Sequence, residues 1–290
     1  MRIAVSGFAS LDHVLSLDGV PTPGRTTTIL SRPKDAWPRL GGSPAYVAAA
    51  LAGNGIGGAI PVTWVGDDAD GAQYSRALAQ LGVMTDGVAV VEGSHTPMAV
   101  LAYDPDGGCS CLYHPAGRDD LGLTEVQRAV LSKVDWLCVT VGPREATREA
   151  LQSIPDGARL CWVVKDDPRA MPLELAADLA ARADLVCCSA AEADFVAAAF
   201  EKAGSPRPGA IVIETRGGAG AQVTVAGTST FVPSDDLTIT DPTGAGDTFA
   251  GGALAALANG ESDPVEVVKA GHRAAIALLA KRVETSNESA

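Results

Sequence analysis

Apolar residues in this chain gather in short unbroken runs that end in glycine or a polar turn, with longer stretches of helical spacing between them. Residues 2–8 and 62–66 are runs of this kind, the habit of strands buried on both faces of a parallel sheet. Alanine-rich spacing predicts helices after residue 43 and over 72–81. From residue 123 the rhythm is regular: helices are expected at 124–133, 144–153, 173–182 and 190–202, with strands at 136–141, 159–164 and 185–188. Alternation at this length specifies an α/β fold, a mainly parallel central sheet covered by helices on both faces. Two β-rich runs, 96–103 and 109–114, flank Asp104-Pro105-Asp106-Gly107-Gly108, turn residues that predict a hairpin. With the segment 14–39 this hairpin makes a small sheet outside the main body. Strands are read again at 210–215, 221–225 and 237–240, then helices at about 245–258 and 264–280. No linker-like tract divides the chain, so a single domain over 1–290 is expected, with accessory segments at about 12–40 and 94–116.

The 290 residues are 47% hydrophobic and carry a formal net charge of −13. That balance argues against nucleic acid or an anionic membrane as partner. A polyanionic substrate must then be held by local donors and a metal. No apolar run approaches the ~18 residues of a membrane span, and the first apolar run is too short for a signal peptide; a cytoplasmic location is the expectation. Cys138, Cys161, Cys187 and Cys188 lie in strand-like runs and read as small core hydrophobes. Cys109-x-Cys111 with His114 lacks the second cluster that a zinc site needs.

Chemistry concentrates at Asp241-Pro242-Thr243-Gly244-Ala245-Gly246-Asp247-Thr248-Phe249, where a strand-like segment gives way to a helix. Small residues there let the backbone turn sharply and bring unpaired N–H groups together at a helix N-terminus, which favours an anion. A carboxylate beside such a corner, Asp247, supplies what phosphoryl transfer to an alcohol needs: a base for the hydroxyl proton next to donors for the phosphate. The plain alternative is a stabilising acid in a helix first turn. Asp12 lies just past the first strand, where ligands of open α/β sheets bind, although a turn residue explains the spacing equally well. Gly41-Gly42 precedes Ser43, a candidate helix cap, and Pro44; two glycines let a ligand approach the backbone. Glu192 follows a strand end, as an outer-sphere Mg²⁺ acid or a helix first-turn residue. Asp68 reads as a structural loop residue. Gly53-x-Gly55-x-Gly57 lacks a preceding strand and is rejected as a dinucleotide fingerprint.

The stretch 241–249 resembles the C-terminal signature of the ribokinase-like (PfkB) family of carbohydrate and nucleoside kinases. Asp12-x-Val14 followed by Pro21-x-Pro23-Gly24-x-Thr26 looks like the family's N-terminus, and Gly41-Gly42 like its two-glycine signature. Ser189-x-x-Glu192 is similar to its Asn-x-x-Glu motif, and Thr215-Arg216-Gly217-Gly218-Ala219-Gly220 to its Thr-x-Gly-x-x-Gly. The resemblance implies a three-layer ribokinase-like fold with a small β-sheet lid. It implies Asp247 as catalytic base and the amides of Gly244, Ala245 and Gly246 as anion hole. Asp12, Gly41, Gly42 and Tyr46 would line the acceptor pocket; Thr215, Arg216, Gly217, Gly220 and His272 would border ATP. Glu192 would act on Mg²⁺ through water, and Asp241 with Ser286 would hold a monovalent cation such as K⁺. In relatives the outer lid face often makes a homodimer contact. Three departures stand out: Tyr46 where many members have Asn, Ser189 for Asn, and Arg282-Val283 for smaller residues near the cation segment. The expected activity is ATP-dependent phosphorylation of a hydroxyl on a small sugar. A nucleoside kinase, a catalytically silent nucleotide-binding regulator and a dinucleotide-binding protein are the rivals.

Overall fold

The structure, a computed structural model, describes residues 1–32, 37–117, 120–235 and 241–287, with side chains up to residue 282 in the last stretch. In chain order, β1 (Ile3–Ser6) leads to β2 (Ser10–Leu17), β3 (Ile29–Ser31) and β4 (Arg39–Gly41), then α1 (Ser43–Gly53), β5 (Ala59–Gly66), α2 (Ala69–Gln80) and β6 (Val88–Val91). The hairpin β7 (Met98–Tyr103) and β8 (Cys109–His114) follows. Next come α3 (Glu125–Leu131), β9 (Trp136–Val139), α4 (Arg144–Ser153), β10 (Arg159–Val163), α5 (Leu173–Arg182), β11 (Leu185–Ser189), one 3₁₀ turn at 190–192 and α6 (Ala193–Ala203). The chain closes with β12 (Ile211–Thr215), β13 (Gly220–Val225), β14 (Thr228–Pro233), α7 (Ala245–Ala258) and α8 (Pro264–Asn287).

Nine strands form one sheet in the order β14-β13-β12-β11-β10-β9-β1-β5-β6, parallel throughout except where β13 pairs antiparallel with β12 and β14. Side chains alternate between two cores. Ile3, Val5, Trp136, Cys138, Cys161 and Leu185 pack on the face covered by α1, α2, α7 and α8. Ala4, Leu137, Leu160, Trp162 and Val186 face α3, α4, α5 and α6. Burial on both faces is why these strands read as unbroken apolar runs. Each large side chain so buried contributes roughly 1.5–3 kcal/mol, and Trp136 and Trp162 anchor one core each. Cys138, Cys161, Cys187 and Cys188 are buried free thiols within these cores, as expected.

The second sheet has the order β3-β2-β7-β8, with β4 paired to β2. The chain crosses into it at Gly7, where an added Cβ would lie 2.0 Å from the Thr140 hydroxyl and 2.7 Å from the Val141 carbonyl. Asp12 consequently sits within β2, not in a loop beyond a strand end. β2 runs parallel to β7, from Leu11 opposite Met98 to Ser16 opposite Tyr103, and β7 and β8 form the expected hairpin. α2 starts three residues earlier than its apolar spacing suggests, because Asp68 caps it by accepting from the Gly71 N–H. The strands β6 and β14 were not anticipated; β6 is a four-residue outer strand without full burial. The strand expected at 237–240 lies outside the described residues.

Candidate active site

A cleft of about 340 Å³ opens at the carboxyl ends of β10, β11 and β12, where parallel sheets bind ligands. Its wall continues through Ser43 at the start of α1 and through Gly244, Gly246 and Asp247 at the start of α7. Gly244 carries a left-handed backbone (φ 72°), and a Cβ there would fall 2.5 Å from the ring of Tyr46. Glycine is required twice over at this position. At Gly246 a Cβ would meet nothing within 4 Å among the described residues beyond its own helix turn, and this residue lines the cleft. The N–H of Ala245 is spent on the Pro242 carbonyl at 3.0 Å. This corrects the expectation of three anion-binding amides: the tight 242–245 turn uses the middle one. Among the described residues no protein acceptor takes the N–H of Gly244 or Gly246.

Asp247 keeps a partly open face to the cleft, with protein packed around it at longer range. Desolvation is the main reason its carboxyl is pushed up to about 6. The facing Ser43 hydroxyl and Lys165 pull the other way, while the charges of Asp12 and Glu192 add to the rise. Ser43 does not cap α1: Gly42 is the N-cap, with φ 81° and no side-chain bond. Its hydroxyl instead pulls the Asp247 carboxyl down against the rise, an effect no local pattern announces.

Glu192 and Thr215 line the same cleft. One oxygen of Glu192 closes a capping box, accepting from the Ser189 N–H at 2.8 Å and hydroxyl at 2.9 Å. The other lies 3.8 Å from the ammonium of Lys165. Lys165, two residues past the end of β10, brings a positive charge to the cleft, and sequence reasoning missed it. Its signal was present, a cation just beyond the carboxyl end of a buried parallel strand. Thr215 donates its hydroxyl to the Cys188 carbonyl at 3.2 Å, tying the ends of β11 and β12.

Beneath the α7 corner lies a buried polar cluster. Asp12, only 5% exposed, accepts from the Ser10 hydroxyl at 2.6 Å; burial raises its carboxyl, against the pull of Ser10 and Arg39. A Cβ on Gly41 would strike the Asp12 carboxylate at 2.2 Å, so the first glycine makes room for Asp12. Gly42 has its left-handed φ and a close approach to the Phe8 carbonyl. Tyr46 is nine-tenths buried, its hydroxyl meets no partner among the described residues, and it feels Asp12, Arg282, Arg39 and Asp241 together. Burial drives its phenol far above the ordinary value. It therefore presents a neutral O–H in the cluster.

Asp241 has an arginine at each of its carboxylate oxygens. Arg39 of β4 hydrogen-bonds one carboxylate oxygen. Nη1 of Arg282 donates to the carbonyls of Asp241 and Thr243, at 3.1 and 2.6 Å, and lies 3.7 Å from the second carboxylate oxygen. Burial raises the Asp241 carboxyl, but Arg282, Arg39 and the Thr243 side chain together leave it below its usual value. The Ser286 side chain is outside the described residues.

Four residues expected near ATP do not line this cleft. Arg216 is folded back on the β12–β13 hairpin, with Nε on Glu214 at 2.8 Å and Nη2 on Gln222 at 3.0 Å. Its partners are a carboxylate and an amide two and six residues away. Gly217 and Gly220 shape that hairpin with φ of 56° and 129°. His272 packs on Phe249 with ring centroids 5.3 Å apart, and burial lowers its pKa. Asp68, accepting from the Thr96 N–H and hydroxyl as well as from Gly71, is the structural residue its setting suggested.

Comparison with known proteins gives the family. The family model described as pfkB family carbohydrate kinase matches residues 9–289. The chain belongs to that family. It is accordingly an ATP-dependent phosphotransferase with an alcohol acceptor. It is 30% identical over 257 residues to an ATP-dependent ribose-1-phosphate kinase of Halopiger xanaduensis, covering 88% of this chain and 84% of that one. A ribokinase of Cryptococcus neoformans in complex with ADP superposes with a TM-score of 0.76 at 22% identity, over 94% and 92% of the two chains. A nucleoside kinase of Methanocaldococcus jannaschii gives 0.75 at 17% identity, over 99% of each. The three-layer ribokinase-type fold expected from the sequence is thus the fold of this pfkB-family member.

Proposed function

We propose that the chain transfers the γ-phosphoryl group of ATP to a hydroxyl of a small ribose-type sugar, with ribose-1-phosphate the first acceptor to test. The observation that carries this reading is Asp247: a carboxylate with its pKa lifted to about 6, set in a cleft beside the open amides of Gly244 and Gly246. A base of that strength is ionised at neutral pH and still basic enough to take a hydroxyl proton in flight. The proton passes from the acceptor hydroxyl to Asp247 as its oxygen bonds to the γ-phosphorus and the bond to ADP breaks. The free amides and Lys165 meet the charge on the migrating group. Asp12 and the Tyr46 hydroxyl orient the acceptor, under a lid formed by the small sheet.

Among the described residues no group of three or more His, Cys, Asp or Glu side chains gathers as a metal cage. Mg²⁺, which retains several waters and prefers phosphate oxygens, would be held by the nucleotide, with Glu192 as the nearby acid acting through water; bound there it offsets phosphate charge. The ribose-1-phosphate suggestion comes from the 30% identical relative. The exposed apolar residues Ile29, Leu30 and Leu112 of the lid sheet support a homodimer through that face.

An ADP-release assay across ribose, ribose-1-phosphate, fructose, adenosine and inosine tests the proposal. Turnover on ribose-1-phosphate well above the nucleosides supports it; preference for a nucleoside replaces the acceptor. Silence on every acceptor would favour the regulator.

A further inference from the structure

The corner that precedes the open amides is held by a side-chain cation. Three oxygens of one short loop converge on Nη1 of Arg282: the Thr243 carbonyl at 2.6 Å, the Asp241 carbonyl at 3.1 Å and the Asp241 carboxylate at 3.7 Å. A carboxylate and backbone carbonyls within one turn are a donor set for a hard cation. The loop is also closed on itself, with the Thr243 N–H donating to Asp241 at 3.1 Å. Arg39 neutralises the other Asp241 oxygen. The Arg39 and Arg282 side chains are 13% and 14% exposed, so these are not screened surface pairs.

We infer that Arg282 is a resident cation that positions the anion-binding corner, occupying the place of a dissociable monovalent ion, so that turnover requires no added K⁺. The inference rests on the proposed phosphoryl-transfer role of residues 244–247. A planar trans peptide sets its C=O and N–H in opposite directions. Arg282, by holding the Thr243 carbonyl, therefore aims the Gly244 N–H the other way, toward the cleft that Gly244 lines. An arginine stays charged across the accessible pH range and cannot diffuse away. An exchangeable ion shares the permanent charge but can dissociate. Arg282 touches neither nucleotide nor acceptor in this account; it is a positioning residue.

The test compares the wild-type chain with Arg282→Ala in KCl, NaCl and choline chloride at matched ionic strength. Wild-type turnover is expected to be the same, within twofold, in all three salts. Arg282→Ala should lose roughly ten- to hundredfold in kcat, the effect of removing one charge-assisted hydrogen-bonding group. KCl or millimolar guanidinium should restore much of that loss, whereas choline should not. A second readout needs no acceptor: the melting temperature of Arg282→Ala should rise on exchanging choline for K⁺, and that of the wild type should not. This arm survives even if the kinase reading fails, so the two failures are distinguishable. Saturable activation of the wild type by K⁺ overturns the inference. So does full activity of Arg282→Ala in choline, or a folded variant that neither K⁺ nor guanidinium restores. Should Arg282→Ala not fold, Arg282→Gln, which keeps two donors but no charge, carries the same comparison.

Discussion

At the scale of single residues, Asp247 couples activity to stability in opposite directions. Its folded pKa of about 6 lies above the ordinary carboxylate value, with desolvation as the leading cause. The folded chain therefore binds this proton more tightly than the unfolded chain does. Stability from this group is fullest below the unfolded pKa near ~4 and falls as pH rises to about 6. By pH 7.5 the cost is up to about 3 kcal/mol. Asp247→Asn should accordingly lower kcat by roughly 10²–10⁴-fold while melting a few degrees higher than wild type at pH 7.5, the gap closing toward pH 4. Turnover of the wild type should rise through pH ~6 and level off above it. Equal melting temperatures at both pH values would mean that Asp247 is not a strained carboxylate. The flanking glycines make a paired prediction. Gly246→Ala meets open space, so it should fold normally and lose turnover because the methyl occupies the ligand's side. Gly244→Ala forces a left-handed alanine against the Tyr46 ring and should lower the melting temperature. If Gly246→Ala turned over like wild type, the ligand would not lie against Gly246.

At the scale of elements, a few polar contacts decide how the small sheet meets the site. Tyr103 of β7 shares a 2.8 Å hydrogen bond with the Thr243 hydroxyl, and Arg39 of β4 reaches Asp241 in the same loop. Both strands of the small sheet thus touch the loop that leads into the open amides of Gly244 and Gly246. Tyr103→Phe keeps the ring and removes one hydrogen bond, an effect of about 1 kcal/mol. The expected result is a severalfold rise in the acceptor KM with the melting temperature nearly unchanged. A change in stability alone would make the contact a plain structural tie. Farther from the cleft, Asp68 joins α2 to the stretch before β7. Burial would raise its carboxyl, but the Thr96 and Gly71 hydrogen bonds prevail and hold it at about 2. A depressed carboxylate stabilises above its unfolded pKa and loses that contribution as pH falls from ~4 toward 2. Asp68→Ala should therefore destabilise at pH 7 by ~1 kcal/mol, in the range of a lost helix cap, and leave kcat alone. Melting curves against pH, with kcat measured beside them, check both halves.

At the scale of the whole molecule, what the sequence disclosed follows from how far apart the cooperating residues lie. Helices α4, α5 and α7 and strand β8 have the bounds their spacing predicts, because amphipathic stripes, prolines and glycines mark them locally. Asp247, Glu192 and Thr215 were legible for a related reason: each sits where a strand ends or a helix begins. Asp12 was found as a residue but misjudged as a loop position, since the switch between sheets at Gly7 depends on packing against Thr140 and Val141, just past the end of β9. Arg282 joins a loop some forty residues upstream and Ser43 a helix some two hundred downstream, pairings that no local window contains. The outer face of the small sheet is the remaining feature of this scale. β3 and β8 are its outer strands, and β8 is exposed along its whole length. Ile29 and Leu30 are 55% and 64% exposed, and Leu112 is 68% exposed. Outer strands with this much apolar surface invite pairing with another chain, and a two-fold dimer would present the same patch from both copies. Sedimentation equilibrium is expected to give twice the chain mass for the wild type and a monomer for Leu112→Glu, which adds a charge on an already exposed site and leaves both cores untouched. Because β2 and β4 of the same sheet carry Asp12 and Arg39, loss of the dimer should also raise the acceptor KM more than the ATP KM. A wild-type chain that sediments as a monomer would leave the lid free-standing and remove this link between assembly and acceptor binding.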